Sequence, residues 1–113
     1  MCKVGFAVLD HTSFSIEEMQ ASADEACSVL KAIGTPVRLL ILCQLLEGEK
    51  SVMELAETLS AKQSLVSHHL KILKLSDLVE STRAEKYVFY SLKDTVAARL
   101  VAVLYDEFCA KAR

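Results

Sequence analysis

The sequence predicts a mainly α-helical fold carrying one small β-hairpin, and three features predict it. Five stretches show helical apolar spacing, four of them opened by Ser, Thr or Asp. Residues 51–74 divide into two short helices around a tight corner. Only residues 78–92 alternate with period two. With 113 residues, 52% of them apolar, three Gly and one Pro, the chain has a core to bury and little room for long loops or a second domain.

Residues 1–13 show no clear period and read as a flexible N-terminal segment ahead of a domain spanning 14–113. A first helix opens at Ser15 as N-cap, with Glu18 completing a capping box and Phe14 and Met19 placed as a hydrophobic staple. It runs to about Ile33 and stops at Gly34, expected as a left-handed cap. Its stripe, Met19, Ala23, Ala26, Leu30 and Ile33, needs a partner in the domain or in a second subunit. Thr35 and Pro36 start a second helix that continues to Gly48 and is apolar almost all round, which predicts the most buried element. Cys43 lies in or beside that core, where a cysteine most often acts as a small hydrophobe.

Ser51 and Glu54 make a second capping box, opening a helix over about 52–59. Ser60, Ala61 and Lys62 form the corner, and a helix over about 63–74 follows. At about 100° per residue, Leu65, Val66, His69, Ile72 and Leu73 fall on its packing side. Gln63, Ser64, Ser67, His68, Lys71 and Lys74 gather on the other. Such a face suits a solvated surface or a nucleic acid: amides, hydroxyls and imidazoles can reach base edges, and lysines can meet phosphates. His69, inside the apolar stripe, reads as a packing histidine, and His11 as a surface residue.

Asp77 takes the chain out of the helix in a left-handed or turn conformation. A two-stranded hairpin over about 78–82 and 87–92 follows, with Arg83 to Lys86 at its tip, which makes the unit a winged helix-turn-helix. A last helix starts at Asp94 and runs to about Lys111, with Val96, Ala97, Leu100, Val103 and Leu104 on its apolar face. Ideal α-geometry puts Cys109 roughly 160° from that face, off the core.

The net charge of −2 hides a segregation: residues 62–93 carry +3 and the remainder −5. A dimer would double the positive patch and make nucleic-acid binding salt-dependent. No apolar run reaches the length of a membrane span, and the first residues lack a signal-peptide pattern, so a cytoplasmic protein with reduced thiols is expected. Catalysis is not indicated. Cys43 and Cys109 lack CxxC spacing and a base, and Ser67 beside His68 lacks an orienting third group.

The element order, with VSHHLKILKLSDLVE and KYVFYSL at matching places, resembles the ArsR family of winged-helix repressors over about residues 25–108. The resemblance implies a homodimer joined through the first and last helices and bound to operator DNA. It puts Gln63, Ser64, Ser67 and His68 at base-reading positions, supported by Lys71, and Arg83 and Lys86 on the wing near phosphates or a minor groove. Lys62 departs from a frequent Ser cap and Asp77 from a frequent Gly.

Metal-sensing relatives carry Cys-Val-Cys at the start of the third helix, where this chain has Ser51, Val52 and Met53. Others use Asp and His pairs on the last helix, which here lacks His. No metal ligand set or cofactor is therefore expected. What remains, Cys43 within ILCQLLEGEKSVMEL and Cys109 near the C-terminus, resembles the sulfide- and persulfide-responsive branch of the BigR, SqrR and HlyU type. That branch implies Cys43 and Cys109 as redox-sensing residues, oxidised by reactive sulfur species to an intrasubunit di- or polysulfide that releases the repressor from genes of sulfur metabolism or sulfide response. Cys2 and Cys27 keep a structural reading. The alternative is a metal- or metalloid-responsive repressor with an atypical site.

Overall fold

The computed structural model describes residues 15–109; the expected N-terminal segment, the Phe14 half of the staple and the end of the last helix near Lys111 lie outside the described residues. Helix α1 (Ile16–Ile33) opens as its cap dictates: Glu18 N–H donates to Ser15 Oγ at 3.1 Å, and Ser15 N–H donates to Glu18 Oε1 at 2.8 Å. Gly34 is not left-handed as expected, having φ −74° and ψ 27°. The next helix begins immediately, with Thr35 as its N-cap, and the chain bends by 89° between the two helices. Glycine suits the close approach there: a Cβ would stand 3.0 Å from the Leu30 carbonyl oxygen, a tight contact.

Helix α2 (Pro36–Leu45) is held at its start by Arg38 N–H donating to Thr35 Oγ1. It ends three residues before Gly48, whose φ of 139° no L side chain adopts easily. Ile41, Leu42, Cys43 and Leu45 are buried, as expected of a central helix, while Leu40 remains exposed. Helix α3 (Val52–Leu59) repeats the capping box with Ser51 and Glu54 and closes on Ser60 in the left-handed region. Helix α4 (Gln63–Leu75) follows without a side-chain cap from Lys62. Its inward face is Val66, Leu70 and Leu73, all at 0% exposure, an i, i+4, i+7 row. That row centres the buried side near Val66, takes in Leu70, which was not expected inside, and leaves Leu65, expected inside, 42% exposed.

The wing contains one strand more than the sequence indicated. Strands β2 (Val79–Ala84) and β3 (Tyr87–Leu92) form the hairpin, and β1 (Lys50–Ser51) adds to β3 to give the antiparallel order β1-β3-β2. Two residues carry no alternation, so β1 left no trace in the sequence beyond Ser51's role as a cap. Pairing continues through Arg83↔Val88 and Ala84↔Tyr87, which shrinks the expected four-residue tip to Glu85, at φ 58°, and Lys86. Asp77, at φ 65°, is left-handed as expected.

Helix α5 (Val96–Leu104) is capped by Thr95 rather than Asp94, whose carboxylate lies 3.6 Å from Arg99 Nη1. Ala97 and Val101 face inward, whereas Val96 and Val103 point out. After Leu104 the helix widens into a π-helical turn, Tyr105–Cys109, instead of continuing as α. The core so formed joins Ile41 and Leu42 of α2, Leu55 of α3, the α4 row, Val79 of β2 and Val101 of α5. Ile16, Met19 and Leu30 on α1, and Val96 and Val103 on α5, stay exposed.

Candidate nucleic-acid interface and thiol pair

The second helix of the helix-turn-helix is held by its apolar row and presents the opposite face outward. Gln63, Ser64, His68 and Lys71 are exposed and Ser67 is half-buried, as their side of α4 requires. Gln63 and Ser67 line a groove of about 500 Å³ with Ser51 and Met53 at the start of α3 and with Lys86 and Tyr87 of the wing. Ser64, His68 and Lys71 lie on the same helix outside that groove lining, and Arg83 is exposed on β2 rather than in a tip loop. Tyr87 went unnoticed in the sequence because it fits the strand alternation; only the sheet register brings it beside α4. Lys86 Nζ stands 5.6 Å from the Tyr87 ring centroid, a cation over an aromatic face at the groove's edge.

Lys74, grouped by helical projection with the phosphate-facing lysines, has another task. Its Nζ donates to Ser81 Oγ at 2.6 Å, tying the end of α4 to the wing. A second tie comes from Lys93, whose Nζ meets Asp77 Oδ1 at 2.7 Å; this carboxylate raises the lysine pKa. His69 is half-buried, as a packing histidine should be, and its Nδ1 lies 3.2 Å from Arg38 Nη1. Burial, then Arg38, then His68 lower its pKa.

The thiols form the second constellation. Cys43 is buried on α2 and Cys109 is exposed on the π-helical turn, both as free thiols. Burial first, then the charge of Cys109, then a hydrogen bond with Cys109 push the Cys43 pKa up. Two cysteines 66 positions apart are therefore neighbours. Cys109 is exposed, as its projection off the apolar face implies, although the helix ends as a π-turn with i→i+5 bonds rather than as α. Cys27 is exposed on α1. Among the described residues, no three His, Cys, Asp or Glu side chains gather where they could hold a metal ion.

A helix-turn-helix whose outward helix carries amides, hydroxyls and cations, flanked by a hairpin that presents Arg83 and Lys86, defines a winged helix-turn-helix DNA-binding protein. The family model for bacterial regulatory proteins of the arsR family matches residues 35–81. The biofilm growth-associated repressor of Xylella fastidiosa (strain 9a5c) is 42% identical over 95 residues, covering 84% of this chain and 83% of that protein. Reduced HlyU from Vibrio cholerae superposes with a TM-score of 0.80 at 36% identity, over 83% of this chain and 99% of the other. The homodimeric winged helix-turn-helix DNA-binding domain Mb0332 of Mycobacterium bovis aligns with a TM-score of 0.69 at 29% identity, over 82% and 86% of the two chains. The chain belongs to the ArsR family of bacterial regulatory proteins, in the branch of BigR and HlyU. It is a DNA-binding transcriptional regulator, not an enzyme.

Proposed function

We propose that this regulator is a cytoplasmic homodimeric repressor of genes for sulfur metabolism or sulfide response, released from its operator when Cys43 and Cys109 become covalently joined. The observation that carries the reading is the adjacency of the two thiols across α2 and the π-helical turn. The dimer forms through the exposed apolar faces of α1 (Ile16, Met19, Leu30) and α5 (Val96, Val103), which otherwise face water. The relatives described as a repressor and as a homodimeric DNA-binding domain support repression and dimerisation.

In the reduced dimer, Gln63, Ser64, Ser67 and His68 of each subunit read base edges in one half-site while Lys71, Arg83 and Lys86 engage phosphates. The exposed Cys109 thiolate attacks the outer sulfur of an organic persulfide, forming a Cys109 persulfide and releasing a thiol. Cys43 then attacks the inner sulfur, which forms the disulfide and releases hydrosulfide; if Cys43 has itself first taken a sulfane sulfur from a second organic persulfide, releasing a thiol, its attack gives a trisulfide and again releases hydrosulfide. The bridge draws α5 toward α2. Because α5 is part of the dimer contact, the separation of the two recognition helices changes, and a symmetric operator tolerates only one separation.

Intact-mass spectrometry and operator binding on the same persulfide-treated sample test this. Loss of DNA binding together with a mass shift confined to Cys43 and Cys109 supports it. Loss of binding with both thiols unmodified overturns it. Release by zinc, cadmium or arsenite that survives Cys43→Ser would transfer the regulation to a metal or metalloid.

A further inference from the structure

One guanidinium joins three elements of this fold. Arg38 on α2 donates from Nε to the Ala32 carbonyl at 2.6 Å and from Nη2 to the Lys31 carbonyl at 3.2 Å, both at the C-terminus of α1. Its third arm, Nη1, lies 3.2 Å from Nδ1 of His69 on α4. Arginine has no acceptor and keeps its charge, so this contact is a hydrogen bond only when Nδ1 is unprotonated and accepts. The remaining anchors of α4 facing the core, Val66, Leu70 and Leu73, are apolar, and such burial is non-directional. The Arg38–His69 bond is directional. With the Lys74–Ser81 bond at the helix end it constrains the roll of α4, and His69 meets the His68 ring on the outward face in a T-shaped contact with centroids 5.4 Å apart.

We propose that Arg38 is a positioning residue for DNA binding that acts through neutral His69, holding the recognition helix at its working roll, and that protonation of His69 opens this bridge and weakens operator binding. The inference rests on the placement of DNA contacts on α4 and is independent of the thiol pair. A second proton on the imidazole sets N–H against N–H and cation against cation, so the bond is lost and replaced by repulsion. The groups facing His69 are Arg38 from α2 and His68 from its own helix; α1 contributes Lys31 through the carbonyl that Arg38 holds. Helix α3 and strand β2 also pack on α4 but supply no charge that shifts His69, among the described residues. Burial, Arg38 and His68 all lower the His69 pKa, which keeps the bridge closed at neutral pH and opens it as pH falls below the ordinary histidine range.

The sign separates this role from a direct contact by His68. A histidine facing phosphates gains attraction on protonation, so it alone would strengthen binding in acid. The test is operator affinity of the reduced full chain at fixed salt, from about pH 8 down to about pH 5. The probe is a duplex selected from a random pool by the wild-type protein at neutral pH. Each point is used only where circular dichroism shows native helix content. Wild type is expected to lose about tenfold in affinity on acidification, the factor corresponding to about 1.4 kcal/mol. His69→Gln, which offers an acceptor that does not titrate, is expected to lose the acid-dependent fall. Arg38→Lys, which cannot span α1 and α4 together, is expected to bind more weakly at neutral pH and to lose the fall as well. Absence of the fall in wild type, or its persistence in either variant, overturns the proposal. A double variant Gln63→Ala, Ser67→Ala in the same assay examines α4 itself: unimpaired binding there would displace the DNA contacts from this helix, a failure distinguishable from that of the bridge.

Discussion

Cys43 and Cys109 lie near enough for the charge of one to bear on the other, one buried on a central helix and the other exposed on a π-helical turn. The asymmetry assigns an order to their chemistry. A thiolate is the nucleophile, so the thiol that water and solutes reach reacts before the one whose ionisation is suppressed by burial. With Cys43→Ser, a persulfide should accumulate on Cys109 and stop there; with Cys109→Ser, Cys43 should be modified more slowly. Mass spectrometry of quenched time points reads both, and faster labelling of Cys43 than of Cys109 would reverse the order.

The raised pKa of Cys43 carries a pH consequence of definite sign. Its thiolate is scarce at neutral pH and grows as pH rises toward a value above the ordinary thiol range. Bridge closure from a Cys109 persulfide should accelerate with increasing pH through the neutral and mildly alkaline range. Stopped samples analysed for released hydrosulfide measure it; a closure rate independent of pH contradicts the assignment of Cys43 as the resolving thiol.

Lys71 and Lys74 differ by one helical turn and should differ in kind. Lys71 is exposed beside the base-reading residues, whereas Lys74 Nζ is held by Ser81 Oγ at 2.6 Å. Lys71→Ala should lower operator affinity and reduce the dependence of log K on log salt by about 1 per subunit contact. Lys74→Met should weaken binding by loosening wing against helix while leaving that slope unchanged. Binding isotherms at several salt concentrations distinguish the two; a reduced slope for Lys74→Met would make it a phosphate contact.

Gly48 should prove the less replaceable of the two inter-helix glycines in backbone terms. At φ 139° it occupies a region L side chains rarely enter, though nothing lies within 4 Å of a Cβ placed there. Gly48→Ala should therefore destabilise by about 1 to 3 kcal/mol through the backbone alone. Urea unfolding reads the loss, and an unchanged midpoint would show that the loop relaxes to another conformation.

Local chemistry made much of this molecule legible in advance. The capping boxes Ser15–Glu18 and Ser51–Glu54, the Thr35–Pro36 start and the left-handed Asp77 each depend on residues within a few positions. The helix-turn-helix and the outward face of α4 follow from the same short-range periodicity, because a helical face is determined by spacing of about 100° per residue. Centring that face failed at two positions, Leu65 being exposed and Leu70, left out of it, fully buried, since the choice between neighbouring rows is made by what packs against them.

The sequence by itself determined the class of element at almost every point and the polar face of α4. Tertiary structure decided the rest, because each remaining feature is a meeting of distant residues. Strand β1 exists only by pairing with β3, and Tyr87 enters the groove only through that sheet's register. Lys74 turns from solvent to Ser81, and Arg38 reaches across 31 positions to His69. Cys109 stays exposed on the π-helical turn, yet the fold brings it near Cys43, 66 positions away in sequence.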